Sequence, residues 1–243
     1  MKSWKDKRYW LIGASEGLGR ALAKTMSDHG IELILSSRSE KRLKELCDEL
    51  PSKASYCCMD VSNLKDVKRA AKSIGEVDGI IFLVGAYWPL RSQDWDIEKI
   101  ETMCDTNFTG AARVIGQVLP TMIKKNRGHI VLTGSLVGYR GLAGSIGYGA
   151  SKAGIMYLAE TLYADLFNTN IKVQLINPGF IDTRLTKKNK FKMPFIMSPE
   201  KAANIFFNFM KKSGFKKDFP IIFSMIFRMG RFLPGWIYYR LQR

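Results

Sequence analysis

Histidine and cysteine are scarce in this chain: two His and four Cys among 243 residues. The cysteines, Cys47, Cys57, Cys58 and Cys104, lack metal-ligand spacing, and adjacent Cys57 and Cys58 make a poor disulfide framework. No metal site is expected, and a reduced, cytoplasmic setting follows as the default. No uninterrupted apolar run reaches the ~18 residues that a spanning helix needs. The opening MKSWKDKRYWLIG passes from charge directly into a short apolar strand, without the apolar centre of a signal peptide. Repeats, low-complexity tracts and linkers are missing too, so one domain over 1–243 is the expected organisation.

Acidic residues are also few, 22 against 38 Lys and Arg, for a net charge of +16. The imbalance is local. Residues 184–243 carry nine Lys and five Arg against Glu200 and Asp218, together with ten of the 14 Phe. Basic plus aromatic composition suits a nucleic acid, a membrane surface or an acidic partner. No nucleic-acid-binding module is recognisable, so nucleic acid is not expected.

What is present is a rhythm. Apolar strands are expected at 9–12, 31–36, 55–59, 79–84, 129–133 and 171–176. Helices are expected from the first glycine-rich turn to about 29, from Ser39 to Pro51, from a Ser62 cap to 74, and over 105–125 and 147–167. Gly30 suits a helix C′ position. GIIFLV at 79–84 reads as a strand buried on both faces. Strand–helix alternation of this kind predicts an α/β fold: a doubly wound parallel sheet in three layers. Ser198, Pro199 and Glu200 read as the cap and first turn of a further helix ending at Lys211 and Lys212. Beyond it, FPIIFSMIFRMGRFLPGWIYYRLQR predicts a short last strand, then two amphipathic helices broken at Pro234.

The first strand runs into LIGASEGLGRALA, with Gly13, Gly17 and Gly19 spaced G-x-x-x-G-x-G. Backbone amides at a helix N-terminus favour an anion, and glycines let a pyrophosphate approach the main chain. The second strand ends in Ser36, Ser37 and Arg38. An acidic residue there would hold a free ribose 2′-hydroxyl, whereas serine and arginine suit a 2′-phosphate, so NADP(H) is expected over NAD(H). Arg42 could assist; Glu16 is an awkward acidic neighbour.

Further along stands YGASK, in which Tyr148 and Lys152 are one helical turn apart and share a face. Ser135 lies thirteen residues earlier, at the end of a strand. Each residue alone has an ordinary reading: a strand-end serine, a polar helix residue at Asn107, a surface Tyr–Lys pair. As an ordered set they resemble the short-chain dehydrogenase/reductase family, of the shorter single-domain type. The resemblance covers about 8–183 and includes GASEGLG, Asp60-Val61, Asn107 in DTNFTG, Ser135 in HIVLTGS, YGASK and NPGFIDT. It implies a Rossmann-like NAD(P)-binding domain with 184–243 as substrate loop, helix and C-terminal extension.

The chemistry of the set is simple. Carbonyl reduction needs a hydride on carbon and a proton on oxygen. Tyr148 would supply the proton, and a lysine one turn away would lower the phenol pKa toward the working range. Ser135 would orient the substrate oxygen. By resemblance, Lys152 also binds the nicotinamide ribose and Asn107 holds a relay water. The resemblance likewise places Gly13, Ser15, Gly17, Leu18, Gly19, Ser37, Arg38 and Gly85 at the cofactor, with Asp60 and Val61 bracketing the adenine. Pro178, Gly179, Ile181 and Thr183 would meet the nicotinamide end.

Two departures from the family pattern stand out. Ile12 replaces the usual Thr before the first glycine, and Phe82-Leu83-Val84-Gly85 replaces Asn-Asn-Ala-Gly. They support the alternative of a non-catalytic NADP(H)-binding scaffold or redox sensor. Tyr87, Trp88 and Trp95, with Phe191 and Phe195, suggest an apolar carbonyl or alcohol substrate. The resemblance also implies a homo-oligomer, dimer or tetramer. The basic aromatic extension is left with three readings: membrane contact, an interface between subunits or with an acidic partner, or a cover over the substrate cleft.

Overall fold

The computed structural model describes residues 4–189 and 191–241. Seven parallel strands form one sheet in the order β3-β2-β1-β4-β5-β6-β7. These are β1 (Arg8–Ile12), β2 (Glu32–Ser36), β3 (Ala54–Tyr56), β4 (Gly79–Phe82), β5 (Gly128–Thr133), β6 (Ile171–Pro178) and β7 (Lys216–Phe219). The helices between them are α1 (Gly17–Ser27), α2 (Glu40–Glu49), α3 (Leu64–Ile74), α4 (Ile97–Cys104), α5 (Gly110–Lys125), α6 (Ile146–Asp165) and α7 (Pro199–Met210). Two more, α8 (Ile221–Gly230) and α9 (Gly235–Arg240), follow the last strand. This is the expected α/β fold in three layers.

Strand residues alternate between two apolar layers because successive side chains point to opposite faces. Tyr9, Leu11, Leu33, Leu35 and Ile81 face α1, α2 and α7. Trp10, Ile12, Ile34, Ile80, Phe82 and Leu132 face α3, α5 and α6. The order reverses between β1 and β4, the point where open α/β sheets place their ligands beyond the carboxyl ends of the strands.

Several boundaries differ from expectation. Asn63, not Ser62, caps α3, accepting from the Lys65 and Asp66 amides. The strand expected at 55–59 is only Ala54–Tyr56, since its last pairing is Leu35 with Tyr56. The helix α1 stops at Ser27, and Gly30 instead closes a turn onto the Ser27 carbonyl at 2.9 Å. The long helix expected from Asp105 begins earlier as α4 and widens into one π-turn at Asp105–Thr109, where the Gly110 amide reaches Asp105 O. The last strand ends at Phe219, the first residue of FPIIF, rather than running through it. Charged Lys216–Phe219 pairs with Leu175–Pro178, and only the neighbouring edge of β6 makes a strand of it.

Candidate active site

The turn after β1 is shaped by its glycines. Gly13 has φ +94° and Gly17 φ +55°, in the left-handed region where side chains are strained. A Cβ on Gly13 would lie 2.9 Å from the Val84 amide nitrogen, and one on Gly17 2.9 Å from Thr183 Cγ2. Gly19 packs against the Gly13 carbonyl. The helix α1 opens without a side-chain cap, so its first amides are left for an incoming anion. Leu18 is buried beneath this turn, and Ser15 is half-buried on it.

Glu16 resolves differently from its reading as an awkward neighbour. Its carboxylate accepts from Arg42 at 2.8 Å and from Arg184 Nε at 2.9 Å. The phosphate turn is thereby tied to α2 and to the segment after β6, and Arg42 is engaged by Glu16. Arg38 is exposed at the end of β2, beside half-buried Ser37, with no ion pair among the described residues. Asp60 accepts from the Ser62 amide and hydroxyl at 2.9 and 2.7 Å, both through one carboxylate oxygen. Val61 is buried against Gly110.

The FLVG departure is explained by packing. Phe82 and Val84 join one apolar layer and Leu83 the other. Ile12 sits beside Phe82 in register, and the Leu83 amide donates to its carbonyl at 2.9 Å. Main-chain bonds and apolar contacts hold the strand ends together without side-chain amides there. Gly85 keeps the cleft floor open, with Leu185 the nearest side chain to its missing Cβ at 3.5 Å.

Asn107, Ser135, Tyr148 and Lys152 converge at the carboxyl ends of β4 and β5. Asn107, fully buried in the π-turn, accepts from the Ala86 amide at 2.6 Å and donates to Ala86 O and Ser151 Oγ at 3.0 and 2.9 Å. Its carboxamide thus joins the end of β4 to α6. Lys152 is 4% exposed. Its ammonium donates to Thr133 O at 2.9 Å, and burial pulls its pKa down to about 8. It therefore stays largely cationic at neutral pH.

Tyr148 behaves opposite to expectation. Burial pushes its phenol up to about 12, the Ser135 hydroxyl opposes this, and Tyr87 adds to it. Lys152 Nζ stands 5.8 Å from the Tyr148 ring centroid, and loss of solvent is the dominant influence on the phenol. The phenol is therefore neutral, a proton donor, across the physiological range.

Residues after β4 and residues after β6 meet beside Tyr148. The Tyr87 ring packs edge-on against Tyr148, centroids 4.8 Å apart. Its hydroxyl donates to Asn189 Oδ1 at 2.6 Å, and Lys188 donates to the Tyr87 carbonyl at 2.7 Å. Trp95 is exposed and stands outside this closure. After β6, buried Pro178 leads to Gly179, whose amide donates to Phe219 O at 2.7 Å. Ile181 is buried and bridges to Met197, while Thr183 abuts the phosphate turn at Gly17.

Sequence reasoning missed Thr133, Ser151 and the Tyr87–Asn189 pair. Only the first two had a local signal, Thr133 lying inside HIVLTGS and Ser151 inside YGASK.

A glycine cradle at an uncapped helix, beside a Ser–Tyr–Lys cluster at the switch point, defines a doubly wound α/β protein of the nicotinamide dinucleotide-binding kind. The cradle fits a pyrophosphate because no side chain fills it. A family model described as short chain dehydrogenase matches residues 7–193. The chain belongs to the short-chain dehydrogenase/reductase family of oxidoreductases. It is 32% identical over 233 residues to an uncharacterized oxidoreductase of Myxococcus xanthus, covering 93% of this chain and 92% of that one. It is 33% identical over 195 residues to another of Staphylococcus epidermidis, covering 79% and 85%. Among solved structures it is similar to a short-chain dehydrogenase from Sphingobium yanoikuyae in complex with NADPH. That match has a TM-score of 0.81 at 23% identity over 88% of each chain. A serine dehydrogenase from Escherichia coli matches with a TM-score of 0.78 at 25% identity, covering 87% of this chain and 96% of that one.

Proposed function

We propose that this chain is an NADP(H)-dependent oxidoreductase that interconverts a carbonyl and an alcohol on an apolar substrate. The observation that carries this reading is the convergence of Ser135, Tyr148 and Lys152 beneath Tyr87, next to the open glycine cradle. When bound, the nicotinamide supplies or accepts the hydride. In the reducing direction, neutral Tyr148 donates its phenolic proton to the substrate oxygen, and the resulting phenolate is balanced by the Lys152 cation. Ser135 donates to the same oxygen and orients it. Lys152 also serves the nicotinamide ribose. The Asn107 side chain holds the end of β4 against α6, and Asn107 would hold the relay water. Asp60 and Val61 flank the adenine, and Ile181 and Thr183 the nicotinamide end.

Preference for NADP(H) is supported by the free guanidinium of Arg38 next to Ser37, with no carboxylate at the end of β2. NADPH oxidation measured across a panel of apolar ketones and aldehydes tests the assignment. Tyr148→Phe should lower kcat by about 10²–10⁴-fold while cofactor binding, followed by NADPH fluorescence, is kept. Equal rates in the two proteins would remove Tyr148 from the mechanism. NADPH binding with no turnover in either would instead support a scaffold or redox sensor. Arg38→Glu should weaken NADPH binding by at least tenfold and spare NADH; equal losses for both cofactors would end the claim of preference.

A further inference from the structure

We infer that α8 and α9 form a docking surface for a bilayer containing anionic phospholipid. The helix α8 turns Ile221, Ile222, Met225, Ile226 and Met229 outward, each between 52% and 68% exposed. Their spacing of one and four residues makes a single helical stripe. Phe232, 81% exposed, lines a cleft with Ile221 of the stripe, and Trp236, 74% exposed, follows at the start of α9. A contiguous apolar face of this kind on an otherwise well-packed protein marks a contact surface.

The face is held outward by polar anchors. Arg140 Nη1 donates to Gly230 O and Leu233 O, both at 2.6 Å, and its guanidinium stacks on Tyr238 at 4.1 Å. On the inner side of α8, Phe223 and Ser224 are buried. The stripe is a fixed feature of the fold.

Charge selects the occupant. No Asp or Glu occurs from residue 219 to 243, while Arg228, Arg231 and Arg240 border the stripe. Arg228 and Arg231, with Lys216 and Lys217, line a cleft of about 630 Å3 between β7 and α8 that opens beside it. The one carboxylate there, Asp218, is only 5% exposed; it accepts from Tyr139 and Asn177 and stands 3.9 Å from Arg228 Nε, which leaves Arg231 without a carboxylate in the cleft. Two copies meeting through this face would oppose Arg231 and Arg240 to the same arginines, and no Asp or Glu from residue 219 onward balances them. Anionic headgroups supply that countercharge, and Trp and Phe next to Arg suit the boundary between headgroups and acyl chains. Among the described residues no helix is long and apolar enough to cross a membrane, so the contact is peripheral.

The site lies on the same side. The Phe223 ring packs on Phe180 and Phe195, 5.5 and 5.9 Å between centroids, in the segments that wall the proposed substrate space. If the oxidoreductase reading holds, on which this consequence alone rests, the substrate is a carbonyl or alcohol dissolved in the bilayer.

The test is flotation of the full chain with vesicles of phosphatidylcholine alone and of phosphatidylcholine with phosphatidylglycerol at a ratio of about 3:1. The expected result is binding to the anionic vesicles, at least tenfold weaker on the neutral ones. Ile226→Glu with Met229→Glu should abolish binding; Arg228→Ala with Arg231→Ala should reduce it on anionic vesicles at least threefold. All substituted positions are exposed, and an unchanged melting curve verifies folding. Equal binding to both vesicles, or binding indifferent to the Glu substitutions, overturns the inference. So does a dimer in sedimentation that the same substitutions split while vesicles go unbound. NADPH fluorescence, read in every variant, reports on the cofactor site separately, so a failed docking surface and a failed oxidoreductase assignment give different results.

Discussion

Two neighbouring helices of similar composition meet opposite fates. The helix α7, PEKAANIFFNFM, buries Ala202, Ala203, Phe206, Phe207, Phe209 and Met210. The helix α8, IIFSMIFRMG, is just as apolar yet buries only Phe223, Ser224 and Gly230. The difference is position. The segment holding α7 connects β6 to β7, so it must cross a sheet face, and there it packs on α1. The helix α8 follows the last strand, when both faces are already covered. Apolar content drives burial only where the topology leaves a surface to bury against.

That contrast can be broken or sharpened by mutation. Phe206→Ala should cost about 3–5 kcal/mol of unfolding free energy, read by urea denaturation; a loss below about 1 kcal/mol would show that α7 is not part of the core.

The next effect is set by pH. The last turn of α7 and the residues after it are held by Gln174, whose Nε2 donates to the carbonyls of Phe209, Lys212 and Gly214. Gln174 in turn bonds His129 at 2.9 Å, which bonds Tyr9 at 2.8 Å. Burial holds the His129 pKa down to about 3. The unfolded chain takes up this proton below about pH 6.5 and the folded chain does not. Its contribution to stability is thus full above about pH 6.5 and is lost as pH falls toward 3. Between pH 7 and pH 5 this group should remove about 2 kcal/mol. In His129→Gln that component should vanish, so the difference between the two proteins narrows as pH falls; parallel curves would refute it.

Smallest is Ile226→Ser on the exposed stripe of α8, expected to change stability by less than about 0.5 kcal/mol in the same denaturation assay. A loss of several kcal/mol would mean that the stripe is covered within the folded protein.

Much of the site was legible in order and spacing. Gly13, Gly17, Gly19, Ser135, Tyr148 and Lys152 lie in short motifs whose chemistry depends on neighbours one turn or one loop away. Less legible were pairs such as Tyr87 with Asn189 and Glu16 with Arg184, which meet across more than a hundred residues and leave no period in the sequence. The last strand was misplaced for a related reason. KKDF has no apolar alternation, and its hydrogen bonds to β6 alone make it a strand. The start of α4 was missed because its pattern runs without a break into the π-turn.

By itself, the amino-acid order determined the alternation of strands and helices, the glycine turn and the family, because these depend on local geometry and side-chain period. Only the tertiary structure decided the protonation of the pair. Burial raises Tyr148 and lowers Lys152, where one-turn spacing alone suggested a phenol shifted down. Only the structure, too, decided which apolar helix is core and which is surface, because solvation is a property of what surrounds a residue and not of the residue.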